Sequence, residues 1–106
     1  MKDSREPCEL SATEALHRIA AGKLTSMAWV ESCWDRIAAR EPDVQAWSYL
    51  NPDAVTQTAA RTDQRHGPSI PVGVKDIIDV CGMPTMMGTD FHDPVPVSRE
   101  GGSVAI

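Results

Sequence analysis

From residue 26 onward the apolar positions Met27, Val30, Trp34 and Ile37 fall at i, i+3, i+7 and i+10, with Glu31, Asp35, Arg36 and Arg40 off that line. A stripe at this spacing is one face of an α-helix, and its ordinary use is core packing rather than a ligand pocket. Trp29 and Cys33 widen the face. Thr25 or Ser26 supplies the N-cap, and Glu41-Pro42 is expected to end the helix. Upstream, Ala12, Ala15, Leu16 and Ile19 repeat the helical spacing over residues 12 to 21. Ser11-Ala12-Thr13-Glu14 reads as a capping box at its start, and Gly22 is placed to stop it in a left-handed conformation. Val44-Gln45-Ala46-Trp47-Ser48-Tyr49-Leu50 carries bulky groups on both faces and predicts a strand. Asn51-Pro52-Asp53 opens another helix, with Asn at the N-cap, Pro in the first position and an acid in the first turn. Its body, through Arg65, is rich in Ala, Gln and Thr, which predicts an exposed helix with a thin apolar seam.

The pattern changes at Ile70-Pro71-Val72-Gly73-Val74-Lys75-Asp76-Ile77-Ile78-Asp79-Val80. A β-branched run between the Gly67-Pro68 and Gly82-Met83-Pro84 turn signals predicts a buried strand over residues 70 to 75. Pro71 suits its first positions, where a missing N–H is tolerated. Lys75 interrupts the apolar run. A strand lysine ordinarily sits at an edge and extends its ammonium to water. A lysine drawn into apolar surroundings instead loses hydration of its charged form and becomes a proton acceptor. The residues alone leave both readings open.

Pro71 to Val80, followed by Gly82, Pro84, Thr85 and Gly88, resembles the lysine-bearing segment of the amidase signature family. Thr89 departs from the serine usual in that family. Weaker similarity reaches back through Asn51-Pro52-Asp53-Ala54 and Gly22-Lys23-Leu24-Thr25-Ser26 to Leu10-Ser11-Ala12, so the resemblance covers about residues 10 to 95. It implies an α/β fold, with these residues as the N-terminal fragment of an amidase-signature fold in which helices pack on a mixed sheet. It also implies hydrolysis of a carboxylic amide C–N bond by a Ser–cis-Ser–Lys triad, with Lys75 as the base and an acyl-enzyme intermediate. The family's two serines belong to a Gly/Ser-rich segment downstream of this chain, so residues 10 to 106 are expected to be one truncated amidase domain behind a flexible terminus, residues 1 to 9. The loop from Gly82 to Asp90 is implied to lie beside the active site.

Other chemistry is weaker. Asp76, Asp79, Asp90, His92 and Asp93 have metal-ligand types but no recurrent ligand spacing, so no metal is expected, and no cofactor. Asp76 either organises the backbone beside Lys75 or simply faces solvent. Gly101-Gly102-Ser103 comes too soon after Lys75 to supply the serines and reads as a flexible loop. Asp93-Pro94-Val95-Pro96-Val97 reads as extended. Cys8, Cys33 and Cys81 cannot all pair within one chain, and the acidic, polar start lacks a secretion signal, which together suggest reduced thiols in the cytoplasm.

The net charge of −5 and pI near 5.0 exclude a basic nucleic-acid footprint, and no apolar run is long enough to span a bilayer. The hydrophobic fraction of 42% over 106 residues is that of a folded chain with a modest core. Wide apolar faces on so short a chain predict a partner: the missing remainder of the domain, or a second copy by self-association. The expected substrate is a small amide. Alternatives are the amidase component of a tRNA-dependent amidotransferase, a non-catalytic remnant acting at most as a binding fragment, and an unrelated small α/β binding domain.

Overall fold

The computed structural model describes residues 4–65 and 67–89, and its helices begin where capping side chains place them. Ahead of the first, Pro7–Glu9 form one 3-10 turn. The Cys8 N–H donates to Ser32 Oγ at 3.0 Å, so part of the terminus expected to be loose is tied down. Helix α1 spans Ala12–Ala20. Ser11 Oγ accepts from the Glu14 N–H at 3.1 Å, and the Glu14 carboxylate accepts from the Ser11 N–H at 2.9 Å, completing the capping box. At the other end Lys23 N–H donates to the Arg18 carbonyl and Gly22 N–H to that of Ile19, with Gly22 at φ +73°. This paired closure requires a left-handed residue, which glycine adopts without a Cβ clash.

Helix α2 spans Ser26–Val44, and every donor of its first turn has an acceptor. Thr25 Oγ1 takes the Ala28 N–H and the Thr25 carbonyl takes that of Trp29. The Asp63 carboxylate, from helix α3 (Pro52–Gln64), takes the N–H groups of Ser26 at 2.8 Å and Met27 at 3.0 Å. Ser26 is fully buried, and its Oγ accepts from Ser69 N–H at 3.2 Å. The expected stop at Glu41-Pro42 is corrected: α2 contains Pro42 and continues to Val44. So near the C-terminus Pro42 removes a single ladder donor and does not force an end. The stop comes at Gln45, whose φ of +50° takes the chain out of the helix.

A core among these elements holds Leu10, Ala15 and Trp29, with Ile19, Leu24 and Cys33 packed against it. Val30 and Ala59 are also buried. Trp34 and Ile37 are half-buried, while Glu31, Asp35, Arg36 and Arg40 are exposed, as the stripe requires. Helix α3 starts at Asn51, whose side chain accepts from Ala54 N–H, and Ala59 marks its thin buried seam.

The chain divides into two compact units, one drawn from Met1–Val44 and Asn51–Pro71, the other from Gln45–Leu50 and Val72–Ile106. In the second unit the expected strands are corrected. Val44 is the last residue of α2, and neither residues 45–50 nor 70–75 form a strand. A strand is defined by a continuous ladder to a neighbour. The described residues make only isolated bridges, at Val80 and Cys81, so the mixed sheet is not present among them. Residues 70–75 are not helical either.

Candidate functional site

The segment that carries Lys75 ends in a turn. Ile78 N–H donates to the Lys75 carbonyl at 3.0 Å, reversing the chain across Asp76 and Ile77. A second turn follows, with Met83 N–H on the Val80 carbonyl at 3.1 Å and Gly82 at φ +83°. Gly82-Met83-Pro84 is thus a turn as its composition indicates. Upstream, the Trp47 ring lies against the backbone of Gly73. A Cβ there would stand 3.0 Å from Trp47 Cη2, so a larger residue fits only if the ring gives way by a few tenths of an ångström.

Asp76 gathers the loop that follows. Its Oδ1 accepts from Met86 N–H at 2.8 Å and its Oδ2 from Gly88 N–H at 3.3 Å. Its main-chain carbonyl accepts from the N–H between them, that of Met87, at 3.1 Å. Three consecutive N–H groups therefore close on one residue, two on its carboxylate and one on its main-chain carbonyl. Met87 at φ +55° and Gly88 at φ +71° give the loop this shape. The Met86 N–H above all, with Gly88 and the Ser48 hydroxyl adding to it, holds the Asp76 carboxyl below its ordinary range. Asp79 makes a parallel tie, its Oδ1 accepting from Thr85 Oγ1 at 2.7 Å. Thr89, in place of the serine expected there, donates its hydroxyl to the Met86 carbonyl at 3.2 Å.

Lys75 itself is exposed, and among the described residues nothing bonds its ammonium. Val72, Val74 and Ile77 beside it are exposed as well, at 76%, 38% and 60%. The apolar surroundings that would strip its amine of water are therefore absent from these residues. The Asp76 and Asp79 carboxylates are spent on loop donors, and no metal-sized cluster of His, Cys, Asp and Glu occurs among the described residues. Asp90, His92, Asp93, the proline-rich stretch and Gly101-Gly102-Ser103 lie outside them. Cys8, Cys33 and Cys81 are free thiols; burial first, then nearby Cys8, pushes the Cys33 thiol up, away from nucleophilic use. No helix among the described residues is long and apolar enough to cross a membrane.

Two features escape the sequence pattern: the Asp63 grip on α2 and the convergence of residues 86–88 on Asp76. Neither has a local spacing signature, because each joins positions ten or more apart. Only the adjacency of Asp76 to Lys75 hints at the second.

Comparison with known proteins matches residues 28–105 to the family model described as Amidase. Among curated relatives, the chain is 38% identical over 88 residues to a glutamyl-tRNA(Gln) amidotransferase subunit of Chloroflexus aurantiacus, covering 76% of the chain and 18% of that protein. It is 36% identical over 113 residues to the protein of the same name from Lysinibacillus sphaericus, covering 92% and 23%. It is 32% identical over 104 residues to 2-amino-5-chloromuconic acid deaminase of Comamonas testosteroni, covering 91% and 22%. The chain thus spans about a fifth of the length of these relatives. No solved structure matches it.

Proposed function

The chain belongs to the amidase family, and from that premise we propose that it supplies the lysine-bearing part of an enzyme that hydrolyses a carboxylic amide C–N bond. The observation that carries this reading is the family match across residues 28–105, which takes in Lys75 and the loop held by Asp76. Lys75 is the base: its neutral amine accepts the proton that a nucleophilic serine gives up through a bridging serine. The serine oxygen bonds to the amide carbon, the C–N bond breaks as the leaving amine takes a proton, and water hydrolyses the resulting acyl-enzyme. Both serines and the mixed sheet of the α/β fold are assigned to the remainder of the domain. Because the base role requires an amine withdrawn from water and Lys75 is exposed here, the 106-residue chain by itself is expected to be inactive.

A narrower reading is the amidase component of a tRNA-dependent amidotransferase, favoured by relatives of that name; the deaminase relative keeps small amino-group substrates in the same field. The test replaces the matching segment of the Chloroflexus aurantiacus protein with this chain's residues and measures release of ammonia from carboxamides. A folded hybrid that keeps hydrolysis supports the reading, and a folded hybrid with none overturns it.

A further inference from the structure

The mechanism above uses Lys75 and leaves Asp76 without a task, yet Asp76 is heavily bonded. Its carboxylate and carbonyl take three successive N–H groups, of Met86, Met87 and Gly88. The peptide on its other side is pinned too, since the Lys75 carbonyl accepts from Ile78. Both peptide units flanking Asp76 are therefore fixed, and one of them is the C-terminal peptide of Lys75. Met87 holds a left-handed φ that a methionine rarely adopts, and it persists because the N–H groups on each side are bonded to the same carboxylate. A solvent-facing acid needs none of this.

We propose that Asp76 is a positioning residue for Lys75: with its carboxylate bonded to the N–H groups of Met86 and Gly88 and its carbonyl to that of Met87, it sets the backbone from which the lysine projects. The proposal rests on the amide-hydrolysis reading for its functional half only. It differs from a general stabilising role in one respect. The anion, rather than the covalent side chain, is what the loop requires, so a small free carboxylate should replace it.

The test has two arms. In the full 106-residue chain, amide NMR of Asp76→Ala should show Met86, Met87, Gly88 and Ile78 shifted together. Millimolar formate should return them saturably toward wild-type positions while leaving wild type unchanged. In the hybrid enzyme, Asp76→Ala should lower kcat by about 10- to 100-fold with KM nearly kept, the range expected of a misplaced catalytic group, and formate should restore part of it. If wild-type hybrid is inactive, the amide-hydrolysis reading fails and the NMR arm still decides whether the grip exists. Unshifted Met86 and Gly88 amides in Asp76→Ala would remove the grip. A folded Asp76→Ala hybrid with wild-type kcat, or a loss that formate leaves untouched while the amides recover, would overturn the positioning role.

Discussion

The helical unit and the unit that carries Lys75 both close their segments with carboxylates on backbone N–H groups, but to different ends. In the first, Asp63 completes the N-terminus of a helix that buries Trp29 in a core with Leu10 and Ala15. In the second, Asp76 holds a loop around residues that stay exposed, among them Val72, Ile77 and Lys75. The same bond thus reinforces packing in one place and substitutes for it in the other. Where local chain supplies both the cap and the cover, structure follows from short-range pattern. Where cover must come from elsewhere, only the turns and the side chains that grip them are set locally.

The largest expected effect breaks the comparison at its functional end. Lys75→Arg in the hybrid enzyme should fail by about a hundred- to ten-thousandfold in kcat, because a guanidinium keeps its proton at any working pH. A steady-state assay with far-UV CD of the folded variant checks it. Near-wild-type turnover would show that charge alone, and not proton transfer, is what the position needs.

Next in size is Asp63→Ala, which leaves the Ser26 and Met27 N–H groups without acceptors. Loss of a capping acceptor costs about 1–2 kcal/mol, read as a lower urea midpoint at unchanged slope. Asp63→Asn, with one acceptor oxygen in place of two, should fall between. If Asp63→Ala were neutral, the first unit would owe its order to packing alone and the contrast between units would sharpen.

Smaller still is Trp34→Phe. The Trp34 indole N–H is buried with no partner among the described residues. Deleting an unsatisfied donor offsets the area lost, so stability should stay within about 1 kcal/mol of wild type. A larger loss in a urea titration would mean that the indole ring itself is a principal packing element.

The smallest effect is local and concerns pH. The folded Asp76 carboxyl lies below its ordinary value of 3.8, so its contribution is fully present above that value and is lost as pH falls through the folded one. Chemical shifts of the Met86 and Gly88 amides should therefore be flat between about pH 5 and pH 7 and move only below about pH 4. The core around Trp29 should not respond over the same range. Amides that drift at neutral pH would show a different group in the cluster of N–H groups.

What the residues reveal without a structure follows the same division. Ser11, Glu14, Gly22, Thr25, Asn51 and Pro52 act within three or four residues of themselves, and each does what its spacing implies. Pro42 misleads because a proline removes only its own donor to the preceding turn and leaves the two residues after it free to stay helical. The expected strands at 44–50 and 70–75 do not form because bulky groups in the first and a β-branched run in the second register a preference that only a paired neighbour can realise, and the described residues supply none. The candidate site is half visible. Lys75 stands out because the apolar run around it makes a charge anomalous. The loop that Asp76 gathers lies ten to twelve residues downstream, beyond any local pattern.

The central claim is that Lys75 takes the proton in acylation. Rapid-quench measurement of acyl-enzyme formation in the hybrid, with Lys75 and with Lys75→Ala, tests it without interference from later steps. A burst of acyl-enzyme is expected for Lys75 and none on the same timescale for Lys75→Ala, with both proteins equally folded by far-UV CD. A folded Lys75→Ala hybrid that acylates at the wild-type rate would contradict it.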